Sequence, residues 1–226
     1  MNLIFCPVRV NTSYTVNLKE PMLHVAEEKG RLSFVKELMN IFELRLNDIK
    51  FDANAPSDNF IHFYKFYGAS FFDVNFGLEV ITARLGTPIG AEQVRDLYGR
   101  LYKFFGKMPI AKQSMTIDRQ LSKKNEGEVD SFFESIAPYT PDKFKELLFG
   151  KGVIYNLQNV DHQLFSQTTV TKSLIIPNGV FLNMIFDFSP NKYDFEKAFE
   201  VAKSQHDFIL KELGIEIESE VTNVSA

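Results

Sequence analysis

The chain has 226 residues, 45% hydrophobic and 24% charged, with a net charge of -4. That is a globular composition, long enough for one large domain or two small ones, and too acidic for a protein that coats nucleic acid, although a local basic patch stays open. Cys6 is the only cysteine, which excludes intramolecular disulfides and multi-cysteine metal sites, and 23 Phe with no Trp require a thick core or an exposed aromatic patch.

Residues 1–10 read as a strand in which Leu3, Phe5, Val8 and Val10 share a buried face interrupted at Pro7. No basic stretch precedes this short apolar run, so it is neither a signal peptide nor a membrane span, and a cytoplasmic location without membrane contact is expected. Residues 11–20 read as a second short strand. From Leu32 to Leu46 the residues Leu32, Val35, Leu38, Met39, Phe42 and Leu46 recur at helical spacing with charges opposite, and residues 52–59 read as a loop.

Residues 61–67 and 70–83 alternate as a long aromatic hairpin, with a bulge or bend at Gly77. Residues 91–105 carry Val94, Leu97, Tyr98, Leu101, Phe104 and Phe105 on one helical stripe, ended by Gly106. Residues 108–121 hold strand positions, 123–128 an exposed turn, and 129–137 and 141–149 short helices, followed by a strand at 153–157. Val170 to Ile176 then alternates as a strand, Pro177-Asn178-Gly179 turns it, and Val180 to Phe188 returns with Val180, Leu182, Met184, Phe186 and Phe188 on one face and Asp187 on the other. Phe195, Ala198, Phe199, Ala202, Ile209 and Leu213 form the dry stripe of a last helix stopped by Gly214, and the acidic tail beyond it is expected to fray.

Hairpin, Pro-containing loop, amphipathic helix and Gly therefore occur twice. The fold expected is α+β: two hairpin-plus-helix units, residues 1–110 and 111–226, with antiparallel sheet or sheets covered by the helices near Leu32, Ala91 and Asn191. A single continuous domain is the alternative.

The hairpin 168–188 and the run Ala202-Lys203-Ser204-Gln205-His206-Asp207-Phe208-Ile209 resemble a sporadically distributed family of uncharacterised bacterial proteins, over about residues 60–213. Its members follow an aliphatic strand containing Asp with a helix carrying Ala and His at this spacing. Their Gly-Leu-Arg-Tyr-Ile-Asn-like segment is answered here only by residues 115–119, and the Trp often present midway is absent. The resemblance implies a fold sooner than an activity.

His206 stands out because it lies on or beside the apolar stripe of the last helix. A helix-borne imidazole facing a sheet pairs with a carboxylate such as Asp187, acts as a base, or is a core-edge histidine hydrogen-bonded to its surroundings. His24, His62 and His162 have no metal-clasping spacing, and neither Gly68-Ala69-Ser70 nor Gly150-Lys151-Gly152 fits a nucleophile elbow or a phosphate loop. Carboxylates at Asp73, Glu79 and Asp187 lie in expected strands, where Mg²⁺ sites find oxygens, but strand acids usually face water. Lys112, Arg119, Lys123 and Lys124, with Tyr98, Tyr102 and Phe104 nearby in sequence, would make an RNA-contacting surface if they gathered on one face, and a solvated face if they did not.

No cofactor or metal is called for. The leading expectation is a non-catalytic interaction or regulatory protein of the bacterial cytosol, binding a protein partner, a second copy of itself included, through aromatic surface. The alternatives are an RNA-binding or RNA-cleaving protein using the basic segment, and a small-ligand binder with a pocket between sheet and helix near His206 and Asp187.

Overall fold

The structure, a computed structural model, describes residues 3–51, 61–67, 70–86, 91–105, 108–123, 127–139, 151–159, 163–188 and 194–218. Ten strands form one sheet in the order β2-β3-β4-β5-β1-β6-β9-β8-β7, with β10 beside the start of β1. The strands are β1 (Leu3–Leu18), β2 (Ile49–Phe51), β3 (Ile61–Tyr67), β4 (Ser70–Phe76), β5 (Val80–Gly86), β6 (Ile110–Ser122), β7 (Gly152–Asn159), β8 (Leu164–Lys172), β9 (Gly179–Phe188) and β10 (Ile215–Ile217). Every pairing is antiparallel except β1 with β10. The α-helices among the described residues are α1 (Glu28–Phe42), α2 (Ala91–Phe105), α3 (Glu128–Ile136) and α4 (Phe195–Glu212).

This arrangement overturns the two hairpin-plus-helix units. Residues 1–20 are not two short strands but a single 16-residue strand, β1, which pairs with β5 on one side and β6 on the other and so joins the two halves of the sheet. Pro7 does not stop it. The register shifts between Pro7 and Arg9, and at such a bulge the missing N–H of proline costs no ladder bond. The expected aromatic hairpin is a three-stranded meander, because the chain turns at Gly77, whose N–H donates to the Val80 carbonyl at 2.9 Å, and β5 begins there. In the second half, β9 pairs with β6 over ten positions as well as with β8, so that hairpin is embedded in the same sheet. Ile110, at the expected boundary between units, is the first residue of β6.

The remaining differences are local. The first helix spans residues 28–42 instead of 32–46 and buries Phe34, Leu38 and Phe42, while Leu32 and Leu46 are exposed. It ends where Glu43 takes a left-handed φ of 51°, and Lys65 Nζ reaches over from β3 to donate to the carbonyls of Phe42 and Glu43 at 2.9 and 3.0 Å, closing the helix C-terminus with a cation. Strand β8 stops at Lys172, short of Ile176, because Ser173 Oγ accepts from the N–H groups of Ile175 and Ile176 and bends the chain, leaving Leu174 and Ile175 in solvent. The helix expected at 141–149 lies outside the described residues.

All four helices contribute to one core on one face of the sheet. Tyr14 in the second half of β1 meets Tyr98 of α2 at 5.6 Å between ring centroids and Phe195 of α4 at 5.4 Å. Phe34 and Phe42 of α1 pack on Phe76 and Phe63 at 5.2 and 5.1 Å, and Phe132 of α3 on Phe5 at 5.8 Å. The Phe excess thus goes mainly into a thick core, where each buried ring stabilises the fold by about 1.5–3 kcal/mol. On the opposite face the described residues place no helix, and the polar half of each strand's alternation lies there.

A candidate ligand cleft between the sheet and two helices

Where α2 and α4 cross the middle of the sheet they leave a cleft of about 420 Å³. Its floor follows from strand parity: Val10 and Thr12 of β1 and Met115, Ile117 and Arg119 of β6 belong to the alternation that faces the helices. Its roof is α4, where Phe199, Ala202, His206 and Leu210 recur at helical spacing, with Lys203 and Asp207 at the rim. Tyr98 of α2 forms a wall and shares a hydrogen bond with Thr12 Oγ1 at 2.9 Å. Burial pushes the Tyr98 phenol far above its ordinary value, so it stays protonated.

The polar centre is a chain of three side chains. Arg119 Nε donates to His206 Nε2 at 3.1 Å, and His206 Nδ1 lies 2.9 Å from Asp207 Oδ1. Because guanidinium can only donate, Nε2 must accept, and the imidazole proton sits on Nδ1, donating to Asp207. Burial lowers the His206 pKa, the Arg119 charge lowers it further, and Asp207 opposes both. The ring is therefore neutral near pH 7, and the contact with Asp207 is a hydrogen bond and not an ion pair.

Asp187 does not join this group. Its position in β9 puts it on the opposite face from Phe186 and Phe188, where it pairs with Lys112 Nζ at 2.9 Å. The four basic candidates for a nucleic-acid surface are not brought together either. Lys112 is on the helix-free face and Arg119 in the cleft; Lys123 pairs with Glu128 at 3.1 Å and stands over the Phe5 ring, and Lys124 lies outside the described residues. Among the described residues no group of three His, Cys, Asp or Glu is close enough to hold a metal ion, and no helix is long and apolar enough to cross a membrane.

Sequence reasoning found His206 but not its partners. One signal was available for Arg119, a cation at the same parity as Met115, Ile117 and Leu121. The helical stripe of residues 91–105 turned Tyr98 inward without placing it beside His206, and nothing local pointed to Ile217, which β10 brings to the cleft by pairing with Phe5. Comparison of the chain with known protein families gives no match, and comparison with curated proteins gives none either.

Proposed function

We propose that the protein is a non-catalytic binding protein whose cleft takes a small amphipathic anion, an apolar body ending in a carboxylate or phosphate. The observation that carries this reading is the occupation of both His206 ring nitrogens: with Nε2 accepting from Arg119 and Nδ1 donating to Asp207, neither is available as a general base. The cleft instead offers an apolar floor and roof, from Met115, Ile117, Phe199 and Leu210, beside the charges of Arg119 and Lys203. Two acids, Asp207 and Glu218, also line the rim, Asp207 bonded to His206 and Glu218 accepting from the Cys6 thiol at 3.1 Å, so the selectivity of the cleft for an anion rests on Arg119 lying deeper, on the sheet floor. A mostly apolar pocket with a few fixed polar groups is the usual form of a small-molecule site.

The test is a thermal-shift and calorimetric screen with straight-chain and aromatic monocarboxylates, each paired with its neutral amide. Binding of the acids, preferred over the amides by about tenfold and lost in Arg119→Gln, supports the reading. Equal binding of acid and amide, or binding unchanged in Arg119→Gln, overturns it.

A second reading, docking of a protein partner, is favoured by one feature. Tyr64 and Phe66 on β3 are 37% and 58% exposed and pack edge to face at 4.7 Å, forming an aromatic patch on the helix-free face. Loss of a co-purifying protein in Phe66→Ser would support it, and a partner retained by that variant would count against it.

A further inference from the structure

On the helix-free face, strands β4, β5, β1 and β6 surround a second concavity, of about 490 Å³. Register explains its lining. Arg84 lies opposite Asp73 of β4 on one side and Ser13 of β1 on the other, and Asn11 lies opposite Asp118 of β6. Phe71 gives it an apolar wall. The ring leans over Gly86, so closely that a Cβ there would collide with it, and only glycine leaves the space.

The charges here are balanced but incompletely matched. Arg84 and Arg9 are exposed and make no ion pair shorter than 4 Å among the described residues. Asp118 Oδ1 is held by Asn183 Nδ2 at 2.7 Å. Asp73 Oδ1 is shut away from water without a hydrogen-bond partner, an arrangement that is costly for a carboxylate.

We propose that this concavity is a binding site for a small zwitterion, a free amino acid or dipeptide with an apolar side chain. The ligand carboxylate lies on the guanidinium groups of Arg84 and Arg9, the geometry guanidinium favours. Its ammonium donates to the carboxylates of Asp73 and Asp118, which line the concavity. Its side chain packs against Phe71. Two cations and two carboxylates match a ligand bearing one charge of each sign. A nucleic-acid strand is a poor fit, because its phosphates would meet Asp73, Asp118 and Asp187 on the same face.

The experiment is calorimetry of the full chain with L-phenylalanine and glycyl-L-phenylalanine, beside N-acetyl-L-phenylalanine, which lacks the ammonium, and phenethylamine, which lacks the carboxylate. The expected result is zwitterion binding with Kd between about 10 µM and 1 mM, and single-charge analogues weaker by about tenfold or more. Arg84→Ala, a surface change that leaves the fold intact, is expected to weaken zwitterion binding by about tenfold. No heat from either zwitterion up to about 10 mM, analogues binding as well as the zwitterions, or undiminished binding by Arg84→Ala would each overturn the proposal. Binding lost in Arg119→Gln but kept in Arg84→Ala would place the zwitterion in the other cleft and also overturn it.

Discussion

Arg119 on β6 and His206 on α4 are joined by a hydrogen bond of 3.1 Å in which the arginine donates and the imidazole accepts. Protonating that imidazole would destroy the acceptor and set two cations against each other. The charged neighbours are Arg119 from the sheet and Asp207 from the same helix, with Lys203 and Glu218 at the cleft rim.

Burial of the imidazole, and secondarily the Arg119 charge beside it, makes stability fall in mild acid. The folded His206 pKa lies below its ordinary value, whereas an unfolded histidine takes its proton near pH 6.5. Between the two the unfolded chain binds more protons, so stability decreases as pH drops below about 6.5 towards the folded value. Melting curves from pH 8 to 5 should show a steeper decline for the natural chain than for His206→Gln, and parallel curves would contradict this.

Tyr14→Phe tests the central strand. Tyr14 Oη donates to Gln113 Oε1 at 3.0 Å in a buried position, so the substitution removes the donor and keeps the ring. A loss of about 1–2 kcal/mol by urea denaturation is expected, with the slope of the transition unchanged.

Gly86→Ala should cost roughly 1–3 kcal/mol, because its methyl group would overlap the Phe71 ring. In a Phe71→Ala background the same change should cost much less. Additive losses in the double variant would show that the ring is not the obstacle.

Asp73→Asn is expected to stabilise the protein slightly at neutral pH, since burial without a donor for Oδ1 disfavours the charged carboxylate. The gain is no more than about 1 kcal/mol, because the half-exposed carboxyl is partly screened by solvent. Burial raises the folded pKa, opposed by His62 and Arg84, while an unfolded aspartate titrates near 3.9. The folded chain then binds the extra proton in between, so stability is lost as pH rises from about 3.9 through the folded value. The advantage of Asp73→Asn should therefore shrink towards pH 4, and a constant difference would refute the assignment.

Local alternation was legible in the sequence where the chain is regular. The parity of β9 puts Val180, Leu182, Met184, Phe186 and Phe188 into the core and Asp187 outside, and the stripe of α4 buries Phe195, Ala198, Ala202 and Ile209 with His206 beside them. What failed was nonlocal or depended on a single residue. A bulge lets β1 pass through Pro7, a turn at Gly77 divides one run into two strands, and the pairing of β6 with β9 depends on segments some 70 residues apart, as in Ile117 with Met184. The cleft was half legible for the same reason: His206 announces itself on its helix, whereas Arg119 and Ile217 reach it through sheet order and Tyr98 through the docking of α2.

Placing β1 in the interior of the sheet has a consequence for biosynthesis. During synthesis β1 leaves the ribosome before both of its long neighbours, β5 ending at Gly86 and β6 at Ser122. Until β6 has emerged, β1 keeps at least one open edge beside its apolar residues Tyr14, Val16 and Leu18. A nascent chain stalled before residue 110 is therefore a natural client for chaperones that hold extended apolar segments, and its release should coincide with the emergence of β6.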